Sequence, residues 1–391
     1  MEIGQFVFSG IPRVTFGSGS FSGLNKIVRS YGRNVLIVTG GNSLKKTGKL
    51  DTLIADLEKD KIKVSLYSVS GEPSPAMIDH AAAEFRKKPI NAVVSIGGGS
   101  VLDAGKAIAA MLGEEGSVED YLEGVGTKKL SGVKAPFIAV PTTAGTGSEA
   151  TKNAVLSIVG EQGYKKSLRH DNYVPDAVLI DPELMLSCPK AITASCGMDA
   201  LSQLLESYIS VKANPMTDAL ALSGIKAFSE SFLIAIEHGD HDIIAREKMA
   251  YASFISGITL AQAGLGTVHG IAGPMGGFFP VPHGTACGTL LAPVLRILAD
   301  KLISMNHPAV KKLAEAAKII TGIQNGDDSI LCAALCDAVD SLTEKAGIPH
   351  LCSFGIQESD LAKIAVASDN KSSPAELSQS EMIEVMKGIL N

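Results

Sequence analysis

The sequence has few cysteines, no long basic block and no long uncharged apolar run, and each absence excludes a class of protein. The six cysteines among 391 residues form no CxxC pair, which argues against a disulfide framework and against a thiolate zinc site. We therefore expect buried free thiols in a reducing cytoplasm. No uncharged apolar stretch reaches the roughly 18 residues of a transmembrane helix, so no membrane span is predicted.

Charge and length narrow the choice further. The net charge is −6, and without a basic block neither nucleic acid nor an anionic membrane is an expected partner. The N-terminus lacks a basic region followed by a long apolar core, so no signal peptide is predicted and a cytoplasmic location is expected. Hydrophobic residues make up 46% of the chain and charged residues 19%, as in soluble globular proteins, and the length favours two domains.

Short β-rich runs alternate with helical patterns in the first half of the chain. This alternation predicts a parallel sheet covered by helices. The predicted strands are 34–39, 63–67, 91–96, 136–140 and 177–180, with a hairpin of 153–159 and 164–168, and the predicted helices are 49–59, 76–87 and 101–111.

After Pro189 the strand patterns disappear and long helical patterns follow. We predict helices at 192–211, 215–238, 242–262, 307–320, 329–346 and in the tail from 358. The change of character places a domain boundary near residue 185. It gives an α/β domain at 1–185 and an all-α domain at 186–391.

A glycine-rich turn, Gly97-Gly98-Gly99-Ser100, follows a predicted strand and opens a predicted helix. Glycines let a backbone approach a phosphate, and a helix N-terminus stabilises its charge. The pattern is not the GxGxxG fingerprint, and a tight turn with no ligand explains it equally well. Asp103 and Lys106 in the next turns favour phosphate binding.

A second polar loop, Thr142 to Glu149, follows the next strand. Open α/β sheets bind ligands at the carboxyl ends of their strands, so two such loops on adjacent strands suggest one ligand. The alternative is a helix cap made by Thr146 or Ser148.

Four residues of the second half could share one metal ion. Asp199 and Gln203 lie four apart, so on a helix they share a face. His269 and His283 lie in a Gly-Pro-aromatic setting. Taken singly, these are ordinary surface or core residues. Together they offer imidazole and oxygen ligands for a divalent metal.

These stretches together resemble the iron-containing (group III) alcohol dehydrogenase family over nearly the whole chain. The matching motifs, in family order, are Gly97–Lys106, Pro141–Glu149, Val178–Leu184, Gly197–Leu201, Ala213–Pro215 and the His269–His283 block. The resemblance implies a Rossmann-like α/β N-terminal domain and an all-α C-terminal domain, as in dehydroquinate synthase. NAD(P) and a metal are expected in the cleft between them.

The resemblance also assigns residues. The family's pyrophosphate loop falls on Gly97, Gly98, Gly99 and Ser100, its hydroxyl loop on Thr142, Thr143 and Thr146, and a cofactor-contacting lysine on Lys165, while Asp103 belongs to the same predicted cofactor set. Its four metal ligands, one Asp and three His, fall on Asp199, Gln203, His269 and His283.

Three departures from the family pattern matter. Gln203 stands where the family has a histidine, and an amide oxygen is a weaker ligand than imidazole. Gly273 replaces a histidine thought to relay the proton, so the catalytic residue is unknown. Gly40 replaces the Asp that ends the first strand in many NAD-preferring members. Gly40, Gly41 and Ser43 therefore favour NADP over NAD, because a carboxylate would repel a 2′-phosphate.

The implied activity is NAD(P)-dependent interconversion of a small alcohol and its aldehyde or ketone, with iron or zinc assisting hydride transfer. Gln203 and Gly273 keep open a metal-free reductase resembling maleylacetate reductase or a lyase resembling dehydroquinate synthase. The two polar loops argue against a non-catalytic cofactor-binding role. The expected partner is a small-molecule substrate, and a homodimer or larger assembly is common in the family.

Overall fold

The computed structural model describes residues 4–41 and 43–390, in which a parallel six-stranded sheet and an antiparallel hairpin occur. The sheet has the order β1-β8-β5-β4-β2-β3, and β6 and β7 form the hairpin. The strands are β1 (Arg13–Phe16), β2 (Asn34–Gly40), β3 (Lys63–Val69), β4 (Ala92–Gly97), β5 (Phe137–Pro141), β6 (Asn153–Ile158), β7 (Tyr164–Arg169) and β8 (Ala177–Ile180).

Helices cover the sheet and make up the second half of the chain. They are α1 (Leu24–Arg29), α2 (Ser43–Lys46), α3 (Lys49–Lys59), α4 (Pro75–Phe85), α5 (Gly99–Met111), α6 (Lys190–Ile209), α7 (Pro215–Ser229), α8 (Phe232–His238), α9 (Ile243–Ala263), α10 (Thr267–Phe278), α11 (His283–Ser304), α12 (Ala309–Thr321), α13 (Asp328–Lys345), α14 (Leu361–Ala367) and α15 (Gln379–Gly388).

The central strands are apolar on both faces because helices cover both. In β2, Val35 and Ile37 belong to the hydrophobic cluster on one face, and Leu36 and Val38 belong to the cluster on the other. The second cluster continues into the helical half of the chain. The predicted α/β fold with a helical second half is confirmed. The boundary near residue 185 stays a prediction; β8 ends at Ile180 and α6 begins at Lys190.

Two helices of the second half depart from the predicted pattern. The helix predicted at 215–238 is two helices, α7 and α8, because the chain leaves helical geometry at Ser231, where φ is −139°. The hydroxyl of Ser231 donates to the carbonyl oxygen of Ala227 at 2.6 Å. Such a bond offers the backbone an alternative to the helical ladder.

The histidine block is helical, which the sequence pattern did not predict. α10 and α11 carry His269 and His283, although glycines and a proline disfavour a helix at 267–278. Tertiary packing explains the outcome. A Cβ at Gly270 would lie 1.7 Å from the carbonyl oxygen of Asp369, so the helix can lie this close only with glycine there. The edge strand β1, exposed along its length, was also not predicted.

One apolar stretch and the six cysteines bear on what the sequence pattern predicts. The stretch Pro215–His238 is long and apolar enough to cross a membrane, a property that core helices share. Of its most apolar 18 residues, 44% are buried within the protein. It packs against α6 and α9. All six cysteines are free and lie among the described residues, but they are not all buried, because Cys352 is exposed and Cys188 and Cys196 are half-buried.

Candidate active site

A cleft of about 1640 Å³ runs along the carboxyl edge of the sheet and into the helical half. A pocket for one drug-sized ligand has at most roughly 1,000 Å³, so this cleft has room for a dinucleotide and a second, smaller molecule. Its walls include Gly40 and Gly98 at strand ends and Asp199 and His269 on helices. Both predicted sites therefore open into the same space.

The glycine-rich turn lies at the N-terminus of α5. Gly98, Gly99 and Ser100 line the cleft, and no described side chain caps this helix. The helix N–H groups are thus left for an anion, which is the arrangement that binds phosphate. Gly97 is not among the residues that line the cleft, and a Cβ there would lie 2.6 Å from the side chain of Val101.

The hydroxyl loop lies directly beside this turn, because β4 and β5 pair in parallel and end together. A Cβ on Gly98 would lie 3.2 Å from Thr143, and a Cβ on Gly99 would lie 2.6 Å from Thr146. These glycines therefore allow the two loops to touch. Thr142, Thr143 and Thr146 all line the cleft, as expected for two loops that hold one ligand.

Beneath the loops lies a buried charged cluster of Asp103, Lys106 and Glu149. The Lys106 ammonium donates to Ser148 and to the carbonyl oxygen of Asn153, at 2.7 and 2.6 Å. Asp103 reaches the cleft but accepts hydrogen bonds from Ser148 and from the backbone N–H of Val155. Burial raises the pKa of Glu149 to about 7 and lowers that of Lys106 to about 8.

The remaining predicted cofactor residues lie at two places in the cleft. Gly40 and Gly41 line its wall after β2, whereas the side chain of Ser43 lies outside the described residues. Lys165 lies on the hairpin, with its ammonium 2.6 Å from a carboxylate oxygen of Glu72. Although burial opposes ionisation of Glu72, Lys165 holds its pKa below the ordinary value.

Three helices bring the predicted metal ligands together. Asp199 and Gln203 lie on one face of α6. His269 is the third residue of α10, and His283 is the first residue of α11. The Nε2 atoms of His269 and His283 lie 3.3 and 3.9 Å from Oδ1 of Asp199. α6 packs on both other helices, so the cluster is part of the helical core.

Gln203 belongs to the cluster but points its amide oxygen at a hydroxyl. Its Oε1 accepts a 2.6 Å hydrogen bond from the hydroxyl of Ser256 on α9. Gly273 lies one turn after His269 and lines the cleft. A Cβ there would meet no heavy atom within 4 Å, so the place of the family's relay histidine is open space.

Two further residues of the cluster, Glu206 and Cys287, were not predicted from the sequence. The carboxylate of Glu206 lies 2.6 Å from Nδ1 of His269 and also accepts from the backbone N–H of Val268. Cys287, one turn after His283, brings its sulfur within 3.7 Å of both Nε2 atoms. Helical spacing from Asp199 and from His283 was the only clue available for either residue.

The cluster fits a divalent cation. Oδ1 of Asp199 is buried, yet no described residue donates a hydrogen bond to it. Burial opposes ionisation, but His283 and His269 hold the pKa of Asp199 below its ordinary value. Burial lowers the pKa of His283 to about 4. A carboxylate and imidazole nitrogens that converge at these distances are metal-binding groups.

Dinucleotide loops that share a cleft with a buried carboxylate–imidazole cluster define a class, the metal-dependent nicotinamide dehydrogenases. Comparison with known proteins gives the family. The model of the iron-containing alcohol dehydrogenase family matches residues 12–182, and the model of the family's C-terminal region matches residues 193–390. The chain belongs to this family, which uses NAD(P) and a divalent metal, and it is an NAD(P)-dependent alcohol dehydrogenase.

Individual relatives agree over most of their length. Long-chain-alcohol dehydrogenase 1 of Geobacillus thermodenitrificans is 32% identical, with 93% of this chain and 90% of that protein covered. The 1,3-propanediol dehydrogenase of Klebsiella pneumoniae is 34% identical, with 96% and 97% covered. A crystal structure of 1,3-propanediol oxidoreductase superposes with a TM-score of 0.88 at 31% identity, covering 98% of this chain and all of that one.

Proposed function

We propose that this protein interconverts a small alcohol and its aldehyde or ketone, with NADP(H) as the preferred cofactor. The observation that carries the proposal is the unpartnered Oδ1 of Asp199, which lies close to two imidazole nitrogens. These groups line the same cleft as the dinucleotide loops. When bound, a divalent metal would polarise the substrate oxygen as a Lewis acid, and the nicotinamide would carry the hydride.

The chain's own residues would position the metal and the substrate and exclude water from them. Asp199, His269 and His283 would hold the metal, with Gln203 as the fourth ligand expected from the family pattern. Glu206 fixes the ring of His269, so that Nε2 faces the cluster. Apolar side chains of the same cleft, among them Leu260, Phe279 and Val281, form a wall against which a small carbon chain can pack.

Gly273 has no side chain that could carry the proton of the substrate hydroxyl group. With no Cβ and no heavy atom within 4 Å of its place, we propose that water or a cofactor ribose hydroxyl carries the proton to solvent.

The preference for NADP(H) rests on the cleft wall after β2. Gly40 and Gly41 present no carboxylate there, and Lys49 at the start of α3 lines the same wall. A 2′-phosphate would meet no carboxylate at Gly40 and Gly41, and it would find one cation, Lys49, whose ammonium also lies 3.9 Å from the carboxylate of Glu183. A homodimeric or larger assembly and a cytoplasmic location stay predictions.

The test combines metal analysis with turnover. Protein purified without chelator is analysed for bound metal, and oxidation of NADPH and NADH is measured against a panel of aldehydes. We expect one metal per chain and activity that Asp199→Asn abolishes, while Asp240→Asn, at an exposed carboxylate, has no effect. Turnover without metal would instead support the maleylacetate-reductase-like alternative, and cofactor binding without turnover would contradict an enzymatic role.

A further inference from the structure

The sequence contains no CxxC pair, yet the fold places one thiol inside the metal cluster. We propose that the fourth metal ligand is the thiolate of Cys287, and that Gln203 is not a ligand. This inference rests on the proposed metal site. It changes the ligand set from that expected from the family pattern to Asp199, His269, His283 and Cys287.

Helix geometry puts the sulfur in place. His283 and Cys287 are four residues apart on α11, so both side chains lie on the face that packs against α6 and α10. Cys287 has 0% relative exposure. One ligand atom from each of Asp199, His269, His283 and Cys287 lies within 4.8 Å of the other three.

The distances match a four-coordinate site. Zinc bonds of about 2.0–2.1 Å to nitrogen or oxygen and about 2.3 Å to sulfur, at tetrahedral angles, separate neighbouring ligand atoms by about 3.3–3.6 Å. The sulfur of Cys287 lies 3.6 Å from Nε2 of His269 and 3.7 Å from Nε2 of His283. Oδ1 of Asp199 lies 3.3 and 3.9 Å from the same nitrogens.

Gln203 and Cys287 differ in what else they contact. The amide oxygen of Gln203 accepts a 2.6 Å hydrogen bond from the hydroxyl of Ser256 on α9. The polar contacts of the Cys287 sulfur, among described residues, are the two imidazole nitrogens of the cluster. The sulfur therefore faces the position that the unpartnered Oδ1 of Asp199 also faces.

Charge supports the same assignment. A thiolate and the Asp199 carboxylate together neutralise a divalent cation, whereas with Gln203 in place of the thiolate the buried metal and its four ligands keep a net charge of +1. On binding, the S–H bond of Cys287 is replaced by a sulfur–metal bond, and the proton leaves to solvent. A thiolate also favours zinc over iron more strongly than an amide oxygen does.

The experiment replaces the native metal with cobalt(II) and records the absorption spectrum. A thiolate-to-cobalt charge-transfer band in the near ultraviolet is expected in the wild-type protein. It should disappear in Cys287→Ser and persist in Cys332→Ser, which changes another buried cysteine on α13. Zinc affinity, measured by chelator competition, should fall at least tenfold in Cys287→Ser, and the preference for zinc over iron(II) should narrow.

Each other outcome has a definite meaning. One bound cobalt per chain without the band, or a band that survives in Cys287→Ser, overturns the thiolate assignment and leaves the proposed function standing. Wild-type protein that binds neither cobalt nor zinc overturns the metal site as well. The wild-type spectrum decides the question even where Cys287→Ser does not fold.

Discussion

The carboxylate of Glu206 lies 2.6 Å from Nδ1 of His269, and its other oxygen accepts from the backbone N–H of Val268. The two bonds fix both the tautomer and the orientation of the imidazole. Nε2 is thereby directed at Oδ1 of Asp199. Carboxylate–histidine pairs of this kind raise the basicity of a metal ligand and hold it still. Glu206 is thus a positioning residue for the metal.

Replacing Glu206 with Gln tests this role. An amide keeps the size of the side chain, but its NH₂ group cannot accept from both the imidazole and the backbone N–H. We expect zinc affinity to fall about 10–100-fold, measured by chelator competition at constant pH. Glu315→Gln is the matched control, because Glu315 accepts a 2.6 Å hydrogen bond from Tyr208 away from the cluster. Equal zinc affinity in both variants would show that Glu206 serves stability alone.

Two glycines of α10 predict opposite effects of the same substitution. Gly273→Ala adds a methyl group to open space within a helix and should stabilise the fold by about 0.5–1 kcal/mol. Gly270→Ala places a Cβ against the carbonyl oxygen of Asp369 and should cost about 2–3 kcal/mol. Urea unfolding measures both. A loss of stability in Gly273→Ala would show that the helix needs a glycine there for another reason.

Cofactor preference can be tested at Gly41, where a side chain would meet no heavy atom within 4 Å. Gly41→Asp places a carboxylate beside the expected 2′-phosphate, and Gly41→Asn has the same shape without the charge. We expect Asp to lower the ratio of kcat/KM for NADPH to that for NADH at least tenfold, which corresponds to about 1.4 kcal/mol. Asn should leave the ratio nearly unchanged. A similar response to both would mean that charge at this wall does not select the cofactor.

Local patterns predicted every described strand except the exposed edge strand β1, and also the two loops and the shared face of Asp199 and Gln203, because each of these depends on neighbouring residues. They could not predict α10, where close packing at Gly270 prevails over weak helix propensity. Nor could they place Cys287 in the metal cluster, since that needs the packing of α11 on α6 and α10. The absence of a CxxC pair excludes a local thiolate site only, because a fold can bring one cysteine to a histidine and a carboxylate of other helices.

The pH dependence of stability should reveal the buried Glu149. Burial raises its pKa to about 7 from an ordinary value of 4.5, so between these values the folded protein holds one more proton than the unfolded chain. Stability from this group therefore falls as pH rises through that window and stays low above it. Glu149→Gln carries no such penalty, and Lys106 remains largely protonated below its pKa of about 8.

Thermal or urea unfolding at pH 5 and pH 7.5 measures the difference. Relative to the wild-type protein, we expect Glu149→Gln to gain stability on the order of 2 kcal/mol between the two pH values. Glu237→Gln, which removes an exposed carboxylate, should follow the wild-type curve. If Glu149→Gln also runs parallel to the wild-type protein, Glu149 is ionised at pH 5, and its charge must be stabilised by Lys106 more strongly than burial opposes it.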